Sequence, residues 1–156
     1  MEIRFRAAKK DDSSLLLSWR NSPEAIKNSI SKKVVSQKKH SLWYQNRISR
    51  ADFEPFWIFL LGNRPVGTAR LDLIPTEKNT FEISIFVDPT HHGIGIGREI
   101  LDLTCIEFLK SPEKTIIAKI LNSNLASKKL FLGAGFTVTS VNNNILVLKK
   151  TLKDSL

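Results

Sequence analysis

Residues 81–98, FEISIFVDPTHHGIGIGR, constrain this chain more than any other stretch. They open as a strand: Phe81, Ile83, Ile85 and Val87 alternate with Glu82, Ser84 and Phe86, so one face is apolar and the other carries a carboxylate. Asp88-Pro89 ends it, because proline has no N–H for a ladder. Gly93, Gly95 and Gly97 then lead into an apolar-periodic helix. Such a turn is an anion site: backbone N–H groups point outward and the helix dipole adds positive charge. Glycine also lets a phosphate reach the backbone without meeting a Cβ. The spacing G-x-G-x-x-G is absent, so a dinucleotide-binding fingerprint does not fit.

The rest of the chain arranges itself around this unit. Residues 3–7 alternate as a strand, and Asp11 or Asp12 can cap a helix through Leu15, Leu16 and Trp19 that ends near Asn21-Ser22-Pro23. Residues 23–35 are polar and unsettled, and can hold short helical turns. Ser36 caps a second helix whose expected apolar stripe is Leu42, Trp43 and Ile48. Residues 56–61 and 66–73 form a hairpin turned by Asn63-Arg64-Pro65. After the glycine turn, Ile100, Leu101, Thr104, Cys105, Phe108 and Leu109 share one helical face. A buried strand at 115–121, a short helix at 124–132 and a hairpin around Asn142-Asn143-Asn144 complete the chain. The order β-α-α-β-β-β-α-β-α-β-β predicts an α+β (mixed α/β) domain, antiparallel first, with helices on both faces of one sheet.

At 156 residues, 42% apolar and 25% charged, the chain reads as one globular domain over 1–156. It has no apolar run long enough to cross a membrane, and its first residues lack the apolar stretch of a secretory signal. The single cysteine, Cys105, excludes an intrachain disulfide and a cysteine-cluster metal site. A cytoplasmic compartment is therefore expected, with no membrane partner and no metal. The net charge of +9 is spread along the chain in small groups such as Lys9-Lys10 and Lys128-Lys129, with no block long enough for a basic arm. A solvated basic surface is preferred, then a polyphosphate ligand; nucleic acid is not expected.

Two strings together, VDPTHHGIGIGREIL and NLASKKLFLGAGF, resemble the GNAT superfamily of acetyl-coenzyme A dependent N-acetyltransferases. The family's first motif, V-D-P then Q/R-x-x-G-x-G/A opening a helix, is met by Val87-Asp88-Pro89, His92, Gly95 and Gly97. Its later motif, N-x-x-[AS]-x-x-L-Y-x-x-x-G-F, is met by Asn124, Ser127, Leu130, Gly135 and Phe136. The resemblance implies the acyl-coenzyme A N-acyltransferase fold, a mostly antiparallel sheet splayed in the middle. It implies acetyl-CoA as donor. The pyrophosphate would rest on the amides of Gly93, Ile94, Gly95, Ile96, Gly97 and Arg98. The pantetheine would lie along Ile85, Phe86 and Val87, with Asn124 and Phe131 on its other side. A backbone N–H near Val87 would steady the oxyanion.

Two positions depart from the pattern. His92 replaces the usual Gln or Arg, which backbone-held phosphates tolerate. Phe131 stands where many members carry a tyrosine that protonates the leaving thiolate, so another group (Tyr44, water or a histidine) would serve, or the thiolate leaves unassisted.

Glu82 is either an exposed strand carboxylate or the general base that takes a proton from the acceptor amine; the resemblance favours the base. Adjacent His91 and His92 have no metal-ligand spacing. Cys105, on an apolar helix face, reads as a buried structural thiol. In the N-terminal half, LLLSWRNSPEAIKNS and HSLWYQNRI resemble the branch that acetylates 4-amino-4,6-dideoxy sugar nucleotides in pseudaminic acid pathways. The W-R-N-x-P string also occurs in ribosomal-protein N-terminal acetyltransferases. Trp19, Arg20, Asn21, Arg70 and Asp72 are the expected acceptor-side residues, with Trp19 and Trp43 alternatively core anchors. The expected acceptor is the amine of a sugar nucleotide. A protein N-terminus or a non-catalytic acyl-CoA-binding role are the alternatives, and a homodimer is left open.

Overall fold

The computed structural model describes residues 2–155. Seven strands form one sheet in the order β1-β2-β3-β4-β5-β7-β6. They are β1 (Ile3–Ala7), β2 (Phe56–Leu61), β3 (Arg64–Leu73), β4 (Thr80–Val87), β5 (Thr115–Leu121), β6 (Thr137–Asn142) and β7 (Ile145–Thr151). The helices are α1 (Ser13–Arg20), α2 (Pro23–Asn28), α3 (Gln37–Ile48), α4 (Ile96–Phe108) and α5 (Leu125–Gly133). All neighbouring strands are antiparallel except β4 and β5. That pair is parallel, as its intervening helix α4 requires.

Turn chemistry closes the hairpins. Leu61 pairs with Arg64, so the β2–β3 turn is Gly62-Asn63, with Gly62 at φ +62°, and Arg64-Pro65 belong to the strand rather than to the expected turn. Asn143 and Asn144 both hold positive φ, as a two-residue turn between right-twisted strands demands. In the polar 23–35 stretch, Ser22 accepts the Ala25 N–H and Pro23 stands at the first helical position, which makes α2 a capped helix with no buried residue.

The two sheet faces have different covers. Leu71, Phe81, Ile83, Ile116 and Ala118 pack under α4 and α5 through Leu101, Cys105, Phe108 and Phe131. The buried face of α4 (Ile96, Ile100, Leu101, Thr104, Cys105, Phe108) agrees with the sequence periodicity. Fully burying such side chains stabilises by about 1.5–3 kcal/mol each. On the opposite face, Phe56, Ile58 and the half-buried Phe86 meet Leu16, Trp19 and Tyr44 of α1 and α3.

The stripe of α3 differs from expectation. Leu42 and Trp43 are exposed, while His40, Tyr44 and Arg47 are buried. Arg47 is 1% exposed, and four acceptors from distant segments make this tolerable: Nε donates to Asp72 (2.7 Å), Nη1 to the Glu54 carbonyl (2.6 Å), and Nη2 to the carbonyls of Pro55 and Leu71 (3.1 Å each). Glu54 is itself held by Arg50 and by the Leu73 N–H. Among the described residues, no helix is long and apolar enough to cross a membrane.

Candidate active site

The strands β4 and β5 share only three paired positions: Thr80 with Thr115, Phe81 with Ile116, and Glu82 with Ile117. Beyond Glu82 they part, and the β5-facing edge of β4 from Ile83 to Val87 loses its ladder partner. A cavity of about 930 Å³ fills the fork. Unpaired strand edges accept extended chains that carry amides of their own.

At the far end of β4 the glycine loop completes one wall. Gly93 and Gly95 sit at φ +78° and +86°, and a Cβ built on either meets nothing within 4 Å. Gly95 caps α4, so the first orphan N–H groups of that helix start beside the cavity. Val87, Gly93, Gly95, Ile96, Gly97 and Arg98 line it; Ile94 does not and is 55% exposed. Ile85 and Phe86 line it from β4, and Asn124 and Phe131 from the opposite side. Asn124 caps α5, accepting the Ser127 N–H.

Glu82 lines the cavity at the last paired position of the fork, its carboxylate 3.6 Å from Lys119 Nζ. Phe131 is buried with its ring edge-on to Phe136 and offers no proton. Tyr44 does not replace it: the hydroxyl donates to the Lys9 carbonyl (2.6 Å), burial pushes its pKa up, and it lies outside the cavity lining. His92 bridges the glycine loop and α2, with Nε2 2.9 Å from the Val87 carbonyl and Nδ1 3.1 Å from Glu24. His91 contacts Thr90. Asp88 sets this loop: burial opposes its ionisation, but the Thr90 N–H and hydroxyl outweigh that and hold its carboxyl below the usual range.

On the α1–α3 side, strand register places side chains in rows. Phe56, Arg70 and Ser84 lie opposite one another, as do Asp72 and Glu82, so Arg70, Asp72, Glu82 and Ser84 share a face. Trp19, Arg20 and Arg70 line the cavity, with Trp19 buried against Phe86 at 5.5 Å between ring centres. Trp43 lines it too and is a half-exposed wall rather than a core anchor. Asn21 and Asp72 are not part of the lining. Asn21 is a structural staple, donating to the Val35 carbonyl and accepting its N–H (2.8 Å each). Asp72 joins Arg47 and Arg70. Buried His40, whose pKa desolvation lowers, also lines the wall; its polar residue type in a charged helix gave no sequence signal. No group of three or more metal-ligating side chains occurs among the described residues.

Residues 17–136 match the family model of the acetyltransferase (GNAT) family. An uncharacterized protein of Methanocaldococcus jannaschii is 32% identical over 145 residues, which is 88% of this chain and 28% of that protein. An L-methionine sulfoximine/L-methionine sulfone acetyltransferase of Salmonella typhimurium is 38% identical over 63 residues, 40% of this chain and 37% of that one. The chain thus spans well under half the length of the curated relatives it matches. The fold is also that of AAC(6')-Ib, an aminoglycoside acetyltransferase, at a TM-score of 0.86 and 15% identity over 99% of this chain and 96% of that one. The forked sheet, the glycine loop and the family match converge: this chain is a member of the GNAT acetyltransferase family.

Proposed function

We propose that residues 1–156 act as a single acetyltransferase domain that moves the acetyl group of acetyl-CoA onto a primary amine. The observation that carries this is the fork: Glu82 stands at its vertex, where an unpaired β4 edge meets a cavity that runs to the α4 N-terminus. The AAC(6')-Ib structure of the same fold was solved with acetyl-CoA and paromomycin, which supports donor and acceptor meeting in such a groove.

The residues fit that donor. Two left-handed glycines with open space above them, followed by free helix amides, suit a diphosphate. The open edge from Ile85 to Val87 suits the amides of a pantetheine arm, with Asn124 and Phe131 opposite. When bound, acetyl-CoA supplies an activated acetyl thioester. Glu82 accepts a proton from the acceptor ammonium, directly or through water, and leaves a nucleophilic amine. A backbone N–H near Val87 would steady the negative charge that develops on the thioester oxygen. With Phe131 apolar, no side chain is assigned to protonate the thiolate.

For the acceptor we assign the 4-amino group of a UDP-linked amino-dideoxy sugar. Aromatic and cationic side chains together on the acceptor wall, Trp19, Trp43, Arg20 and Arg70, support it. The test is thiol release from acetyl-CoA against three acceptor sets: UDP-linked 4-amino-4,6-dideoxy sugars, peptides with free N-termini, and L-methionine sulfone. Release with the sugars is expected. Release with only the peptides or the amino acid would replace the acceptor and keep the chemistry. Donor binding without release in any set would mark an acyl-CoA-binding module.

A further inference from the structure

Arg47, Asp72 and Arg70 form a relay that ends at the cavity. Buried Arg47 donates from Nε to one oxygen of Asp72 (2.7 Å), and Arg70 donates from Nε to the other (3.0 Å). Each carboxylate oxygen therefore has its own guanidinium. The far side of the relay is fixed, because the remaining nitrogens of Arg47 are tied to the carbonyls of Glu54, Pro55 and Leu71. The near side is fixed as well: the Arg70 guanidinium stands 5.1 Å from the Trp43 ring centre. What remains unspent is the outer fork of Arg70. Its two terminal nitrogens have no partner among the described residues, and the residue lines the cavity at about one-third exposure.

Position gives the fork its meaning. Arg70 faces Ser84, two residues along β4 from Glu82 and on the same sheet face. Strand geometry puts neighbouring rows of one face about 7 Å apart, so the fork lies within a small molecule's length of the vertex carboxylate. The other acids at the site are already matched: Glu24 with His92, Glu82 with Lys119, and Asp72 within the relay. The lining carries four basic side chains, Arg20, Arg70, Arg98 and Lys119, against two carboxylates, Glu24 and Glu82, and of the four Arg98 is paired with Asp102.

Building on the acetyl-transfer reading, we infer that Arg70 is a specificity residue that grips an oxyanion of the acceptor, a phosphate or a carboxylate, through its two terminal nitrogens. Arg47 and Asp72 are positioning residues that hold the fork in place. A planar fork matches either oxyanion in two parallel hydrogen bonds, which a lysine ammonium cannot reproduce. The acceptor is thus an amine that carries its own negative charge a short distance from the reacting nitrogen.

The test uses matched acceptors with the full chain: a UDP-linked 4-amino-4,6-dideoxy sugar against its phosphate-free methyl glycoside, and L-methionine sulfone against its carboxamide. The first pair reads phosphate and the second carboxylate. Loss of charge-assisted hydrogen bonds in Arg70→Met should lower kcat/KM for the oxyanion-bearing member of the pair about 10- to 100-fold, mostly in KM, and leave the oxyanion-free member within about two-fold. Arg70→Lys should recover part of the loss, and Asp72→Asn should weaken discrimination less than Arg70→Met. A folding defect would lower both members together, so an unchanged ratio of the oxyanion-bearing to the oxyanion-free member in Arg70→Met overturns the assignment. If the wild-type protein acetylates none of the four, the sugar-nucleotide and amino-acid acceptors fail on their own. Calorimetric binding of UDP and of L-methionine sulfone then decides the fork: affinity lost in Arg70→Met supports it, and equal or absent affinity overturns it.

Discussion

Gly67 offers a test in which the structure sets both sign and size. It pairs with Val87 across β3 and β4, at the end of the strand that borders the cavity. A Cβ placed there would stand 2.6 Å from Ile100 Cδ1 and 2.6 Å from the Phe86 carbonyl oxygen. The isoleucine end can turn away, but the carbonyl moves only if the ladder moves. Overpacking a filled site costs about 1–3 kcal/mol. The lower chain entropy of unfolded alanine returns about 0.4–1 kcal/mol. The net loss for Gly67→Ala is then about 1–2 kcal/mol, or roughly 2–8 °C in Tm for a domain of this size.

Gly97 supplies the control. Its added Cβ would meet Val87 Cγ2 at 3.5 Å and Leu130 Cδ2 at 3.8 Å, ordinary contact inside a helix. Gly97→Ala should therefore be neutral or more stable by up to about 1 kcal/mol, the helix preference of alanine over glycine. Urea unfolding of both variants beside the parent measures the difference. Equal midpoints for Gly67→Ala and the parent, or an equal loss in both variants, would refute the reasoning from close approach.

Other consequences follow from single contacts. Gly97→Leu fills the gap between Val87 and Leu130 and should weaken acetyl-CoA binding at least ten-fold by calorimetry, with the fold retained by circular dichroism; unchanged affinity would remove the donor assignment there. Asp12 bonds Arg6 (2.8 and 2.9 Å) and the Lys9 N–H (2.7 Å), which outweigh its desolvation and hold its carboxyl below the usual range. Stability from this ion is full above the unfolded pKa and is lost as pH falls through the lower folded one. Asp12→Asn should thus cost about 1–2 kcal/mol at pH 7, with the gap to the parent closing in acid; a constant gap would contradict the linkage. Burial pushes the Cys105 thiol up to about 11, so iodoacetamide at pH 8 should label it only in denaturant, and fast native labelling would show the helix face to be open.

The sheet was legible where one face alternates with the other, as in β4, and α4 was legible from its apolar spacing. The face of α3 was not. Burial of Arg47 depends on carbonyls at 54, 55 and 71, and no local pattern announces acceptors that a distant hairpin supplies. Asn21 shows the same limit: its amide reads as a polar cleft group until Val35, fourteen residues on, proves to take both ends of it. The glycine loop was legible because its chemistry is local, although Ile94 within it is exposed and not part of the cavity lining. The placement of Glu82 at the vertex depends on where the neighbouring strands β4 and β5 part, which spacing alone does not encode.

The central claim is that the vertex carboxylate removes a proton from the acceptor amine. The most direct measurement is the pH–rate profile of acceptor-dependent thiol release from acetyl-CoA for the parent and for Glu82→Gln. With Glu82 as base, the variant should lose about 10²–10⁴-fold in kcat near neutral pH and recover toward high pH, where the amine is already free. A profile of the same shape and height in both proteins would contradict the account.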